Sequence, residues 1–309
     1  MESTLLQIAL TALINISLAW VAGVLASRYW LMRQAVAWQV SAVRRLSMAM
    51  PAGLAACMVA VFLSLWTESA AMGDVAWLDA WPAWVAMMTT THYGHAGVAT
   101  LALLALGMVV HWALDRPGAG MRYVAGILAI VLLAAAARVT IGHAFAQGPF
   151  SIAVWVEWLH LLLMALWAGI VFVAGWVVLP HVLASEATDS RERAGYLASM
   201  SNWAGAALAG ILATGAYNAW RVLDSPRDLV ALDYGQVLVF KVCFVLIAIA
   251  LGGFNKFVGL PASLAAPSTS LNLQAGLRRV IAVLRLESIA LLLVLLAAAV
   301  LTNSAPPGS

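Results

Sequence analysis

Charge is what this sequence has least of. Only 9% of its 309 residues are Asp, Glu, Lys or Arg, where a water-soluble domain carries about a quarter. That excludes a soluble globule, whose surface could not be covered with polar groups, and a disordered chain. The net charge is +3, with the basic residues scattered, which excludes a nucleic-acid binder built on a basic patch. There are two cysteines, Cys57 and Cys243, both inside apolar runs and not in a CxxC pair, so no disulfide scaffold is expected. The sequence lacks a GxxxxGK[ST] loop, a GxGxxG turn and an HExxH pair. Transport, if any, is therefore passive, ion-coupled or driven by a partner.

What the chain has is apolar length. Hydrophobic residues make up 64% of it. Eight segments, at 4–26, 46–67, 83–110, 122–144, 152–180, 196–220, 235–257 and 279–303, are each long enough for a transmembrane helix. The expected fold is an all-α polytopic membrane protein with eight spans. The first run starts after Glu2 and is too long for a signal-peptide core, so it reads as a span. Gly169, Gly175, Gly205, Gly210 and Gly215 suit close helix approach in lipid. Trp77, Trp81, Trp84, Trp112, Trp155, Trp158 and Trp220 fall near span ends, as an interfacial belt does.

Basic residues orient the spans. Eleven (Arg28, Arg33, Arg44, Arg45, Arg116, Arg122, Arg191, Arg193, Lys256, Arg278 and Arg279) lie on one side and three (Arg138, Arg221 and Arg227) on the other. The positive-inside rule then puts both termini outside. Thr91-His92-Tyr93-Gly94 opens span three and Leu232-Asp233-Tyr234-Gly235 opens span seven. This suggests two four-helix halves, 1–150 and 151–309, in parallel repeat.

The histidines carry most of the chemical information, because imidazole in a bilayer needs a partner. His92, His95, His143 and His160 fall in the outer half of the predicted bundle. His92/His95 and Glu157/His160 share the i, i+3 spacing that puts two side chains on one helix face, and inward Glu-x-x-His pairs build metal sites in bundles. Met87, Met88 and Met164 lie on the same spans. Imidazole suits copper, and thioether favours Cu(I), so the cluster reads as an outward-facing copper site, with Glu157 as ligand or orienter. The bland alternatives are hydrogen-bonded membrane histidines and methionines that simply pack. His111 and His181 lie at the inner ends of spans three and five. With the outer four they also fit paired axial ligands of a haem b carrier. Lys241, Arg285, Glu287 and Asn218 are intramembrane polar groups expected to support or gate the bundle.

The order of several motifs resembles the CopD/PcoD copper-resistance membrane proteins. They are Glu157-Trp158-Leu159-His160, Leu166-Trp167-Ala168-Gly169, Thr214-Gly215-Ala216-Tyr217-Asn218-Ala219-Trp220, Asp233-Tyr234-Gly235-Gln236 with Lys241, Gly253-Phe254-Asn255-Lys256, Arg285-Leu286-Glu287 and Leu301-Thr302-Asn303-Ser304. Thr91-His92-Tyr93-Gly94 and Gly142-His143-Ala144 extend it into the first half. The resemblance implies eight helices in a bacterial inner membrane, inward movement of copper from the periplasm, and a separate periplasmic carrier of the CopC type. His95, His111 and His181 have no clear counterpart in the pattern, which leaves a haem role open.

The leading expectation is therefore a non-enzymatic copper-binding membrane protein, with copper ion as the metal and lipid and a CopC-like carrier as partners. The alternatives are a b-type cytochrome and a metal-free scaffold subunit.

Overall fold

Backbone amides in lipid have no water to bond, so a long apolar run satisfies itself as a helix. A computed structural model of the chain describes residues 2–116, 120–142, 145, 147–184, 190–223, 225, 227–261 and 271–304. Among these the regular structure is helical: α1 (Glu2–Trp30), α2 (Ala37–Met72), α3 (Trp81–Thr90), α4 (His92–Leu114), α5 (Met121–Val139), α6 (Ile152–Val173), α7 (Leu179–Ala184), α8 (Ser190–Val222), α9 (Asp228–Ala231), α10 (Asp233–Phe254) and α11 (Leu271–Thr302). Seven helical stretches among the described residues are long and apolar enough to cross a membrane: Thr4–Trp30, Ala37–Met72, His92–Leu114, Met121–Val139, Ile152–Ala184, Asp233–Gly259 and Leu273–Thr302. The expected sixth span is also a helix, α8, of 33 residues. Ser199, Ser201, Asn202 and Gly205 dilute its apolar character.

Two predicted spans begin with a break. Segment 83–110 divides into α3 and α4 at Thr91, whose backbone is extended at φ −109°, ψ 147°. The chain enters α10 from α9 through Leu232, at φ −108°, ψ 141°. In both places a glycine makes the bend possible. A Cβ on Gly94 would collide with the Met87 carbonyl, and one on Gly235 with the Asp228 carbonyl, seven residues earlier in each case. Thr91 closes the first break by accepting from the Gly94 amide at 2.9 Å and donating to the Met87 carbonyl at 2.7 Å.

Two further irregularities share a cause. π-turns at Ala174–Val178 and Asn255–Gly259 continue α6 into α7 and extend α10. Each is followed two residues later by a proline, Pro180 or Pro261. Proline has no amide hydrogen and crowds the preceding turn; one wider turn accommodates it.

Packing centres on α1, which lies against α2, α6 and α11. α1 and α6 cross at Gly23 and Gly169, where a Cβ on either would strike the other helix's backbone. This is the small-residue contact that lets helices approach closely where no hydrophobic drive exists between them. α2 packs on α4, α4 on α5, α6 on α8 and α10 on α11. Where α3 begins, Phe62, Trp66, Trp77, Trp81 and Trp84 form a contiguous aromatic cluster, suited to a membrane–water boundary.

Candidate functional site

Glu157 and His160 are on one face of α6, and α8 holds both. Asn218 Nδ2 donates to Glu157 Oε2 at 2.8 Å. His160 Nδ1 lies 2.8 Å from Thr214 Oγ1. The Thr214 hydroxyl donates to the Gly210 carbonyl at 2.7 Å, so its oxygen is the acceptor for His160 Nδ1–H. In that arrangement Nε2 keeps its lone pair for a ligand. Gly215 leaves room for the ring: a Cβ there would stand 3.4 Å from His160 Cε1. Thr214 and Asn218, one helical turn apart, thus grip the i, i+3 pair of the facing helix.

Charge surrounds this pair. The Lys241 ammonium interacts with both Glu157 and His160, and the Arg138 guanidinium with Glu157, Tyr93 and Cys57. Tyr234, just past the α9–α10 break, lies within electrostatic range of Glu157 and Arg221. Three buried polar atoms here make no hydrogen bond among the described residues: Arg138 Nη1, Asn218 Oδ1 and Arg221 Nη1. Unpartnered buried polar atoms of this kind are rare in folded proteins.

The other predicted ligands do not join this group as a visible cluster. His92 is exposed and stacks on Phe145, ring centroids 4.7 Å apart and planes 9° from parallel. His95 is exposed and donates from Nε2 to the Thr89 carbonyl at 3.2 Å. His143 lies outside the described residues. Met87 and Met88 are buried on α3, and Met164 is core packing one turn along α6 from His160. Among the described residues, no three His, Cys, Asp or Glu side chains gather closely enough to hold a metal ion.

The histidines at the opposite end have structural partners. His111 Nδ1 lies 3.0 Å from the Tyr123 hydroxyl and its Nε2 3.6 Å from Asp115. Arg28 completes that network, 2.7 Å from Asp115 and over the Tyr123 ring, with Ser47 as a further partner. His181 Nε2 bonds Ser41 of α2 at 2.7 Å. Each of the two is fastened within its own neighbourhood, and nothing in this arrangement supports the paired axial ligands of haem b. Cys57 is buried and Cys243 exposed. Arg285 turns to the Gly175 carbonyl and the Trp176 ring rather than to Glu287.

Sequence reasoning missed Thr214 as the anchor of His160 and Tyr93 and Tyr234 as neighbours of the buried charges. The signal for Thr214 was its i, i+4 spacing to Asn218. The signal for the tyrosines was their matching place before Gly94 and Gly235.

No curated protein and no solved structure matches the chain. Residues 194–301, running from α8 through α10 into α11 and including Thr214, Asn218 and Lys241, match the family model described as copper resistance protein D, CopD.

Proposed function

We propose that this chain is a CopD-type membrane protein that takes copper from the periplasm into or across a bacterial inner membrane. The observation that carries the reading is that the copper-resistance match contains Thr214 and Asn218, the two side chains that hold His160 and Glu157. In this reading His160 Nε2 is a copper ligand. Glu157 is a second ligand or offsets the cation's charge. A cation entering between them meets the Lys241 ammonium, so that side chain must swing aside or lose its proton for copper to pass. His92 and His95, with His143, Met87, Met88 and Met164 as further candidates, act as an approach path rather than a single cage. Copper is cargo here, and the family resemblance supplies its donor, a separate periplasmic carrier of the CopC type.

The same reading takes α8 as an eighth span, both termini as periplasmic, and 1–150 and 151–309 as parallel repeats. Several features support the repeat. The breaks at Thr91 and Leu232 have the same backbone shape. Gly23 and Gly169 meet reciprocally at the α1–α6 crossing. Arg28 covers Tyr123 in one half, and Arg285 covers Trp176 in the other.

The test is copper content of bacterial cells expressing the chain, measured by elemental analysis. Expression raises it, and His160→Ala or Glu157→Gln abolishes the rise at equal protein level. An unchanged rise with alanine at His92, His95, His143 and His160 together would overturn the proposal.

A further inference from the structure

Two helical turns beyond His160 along α6, a second polar feature lies between α6, α8, α10 and α11. A cavity of about 270 Å³ opens there, walled mostly by apolar side chains and by Ser201, Asn255, Lys256 and Glu287. That volume admits several water-sized occupants. Elsewhere α2 packs on α4 with Leu65 against Gly97 and Leu54 against Gly107. In the second half Gly253 of α10 has nothing against it, and Gly205 of α8 meets only the Lys256 ammonium.

Glu287 is the chemically demanding member of this wall. It is 2% exposed. The Trp167 indole N–H lies close enough to interact with it. Gly252 lets the α10 backbone come close, since a Cβ there would lie 3.0 Å from Glu287 Oε1. No ion pair to Glu287 forms among the described residues. Arg285, on the same helix, is held over Trp176 at 4.6 Å. His181 on α7 is held by Ser41. The lining residues of α6 and α8 carry no charge, and Lys256, an exposed side chain, stands at the mouth. Asn255, 3% exposed, leaves its Oδ1 without a hydrogen bond among the described residues.

A carboxylate inside a membrane requires a positive partner, and among the described residues this one forms no ion pair. We propose that the cavity is a binding site for one univalent cation, a proton or a monovalent metal ion, held at Glu287. The charge count sets the valence. One carboxylate neutralises one positive charge, and the Lys256 ammonium at the mouth opposes a second. Trp167 and Gly252 position the carboxylate, and Asn255 supplies an uncharged oxygen in the same wall. The site is separate from Glu157 and His160 and does not rest on the copper reading.

The experiment treats the purified full chain in detergent with a hydrophobic carbodiimide, which modifies protonated carboxylic acids in apolar surroundings, and locates the adduct by peptide mass spectrometry. Glu287 is modified, and modification falls as pH rises. Sodium, potassium and Cu(I) are added in separate arms. Slowing by one of them identifies that ion as the exchanging occupant; slowing by none, with the pH dependence intact, identifies the proton. Glu287→Gln keeps the shape and the Trp167 contact and loses the adduct while helicity by circular dichroism is unchanged. Lys256→Gln removes a repelling charge, so modification persists to higher pH. Failure of Glu287 to react at any pH, or reaction indifferent both to pH and to every ion, would overturn the assignment.

Discussion

His160 shows how one hydrogen bond decides what a side chain can do. Its ring is useful to a metal only if the proton sits on the nitrogen away from the ligand, and Thr214 puts it there by accepting at Nδ1 while its own hydroxyl proton goes to Gly210. Partners that orient a ligating imidazole contribute about 10–100-fold in metal affinity. On the proposed role of His160, Thr214→Val should weaken copper binding by about that factor, while Thr214→Ser should retain it; equilibrium copper titration of the purified protein measures both. Glu157→Gln keeps the shape but removes the charge that faces Lys241 and Arg138. The Glu157/His160 pair was legible in the sequence because helical spacing alone puts two residues on one face. Their anchors were only half legible: Asn218 is an amide that stands out in an apolar run, whereas Thr214 looks like any membrane threonine until the facing helix is known. The grouping of His92 and His95 with His160 was not legible, since their shared face says nothing of which helix it meets. In the fold that face carries His92 onto Phe145 and His95 back onto its own preceding turn.

At the scale of elements, apolar run length was a sufficient guide to seven of the spans, because lipid leaves the backbone no alternative to the helix. It could not reveal the breaks at Thr91 and Leu232. Those depend on a glycine reaching a carbonyl seven residues back, a contact between a short helix and the long helix that follows it. Gly94→Ala and Gly235→Ala should each destabilise the fold by about 1–3 kcal/mol, as overpacking does. Gly195 is the control: it is helical and exposed, and a Cβ there would meet nothing within 4 Å among the described residues, so Gly195→Ala should stabilise, by up to about 1 kcal/mol. Thermal unfolding in one detergent ranks the three. The same measurement bears on the α1–α6 crossing, where Gly169→Val should be the most damaging of the set, because its Cβ would meet backbone that cannot rotate away.

The molecule as a whole is organised by which helices touch. α1 and α6 meet at paired glycines, α4 packs on α5 and α10 on α11, and a cavity opens between α8 and α10 around Glu287. The copper-resistance match, residues 194–301, includes the α8, α10 and α11 walls of this opening. Orientation is testable directly. In a background with Cys57→Ser and Cys243→Ser, the exposed positions Arg33 and Leu78 flank the two ends of α2. A membrane-impermeant maleimide should label Leu78→Cys in intact spheroplasts and Arg33→Cys only after permeabilisation; the reverse would invert the topology. The central claim, that the face shared by α6 and α8 grips copper through His160, is tested most directly by X-ray absorption at the copper edge on the purified, copper-loaded chain. The account predicts imidazole nitrogen scattering that disappears, along with most of the bound copper, in His160→Ala. An identical spectrum and copper content in that variant would contradict it.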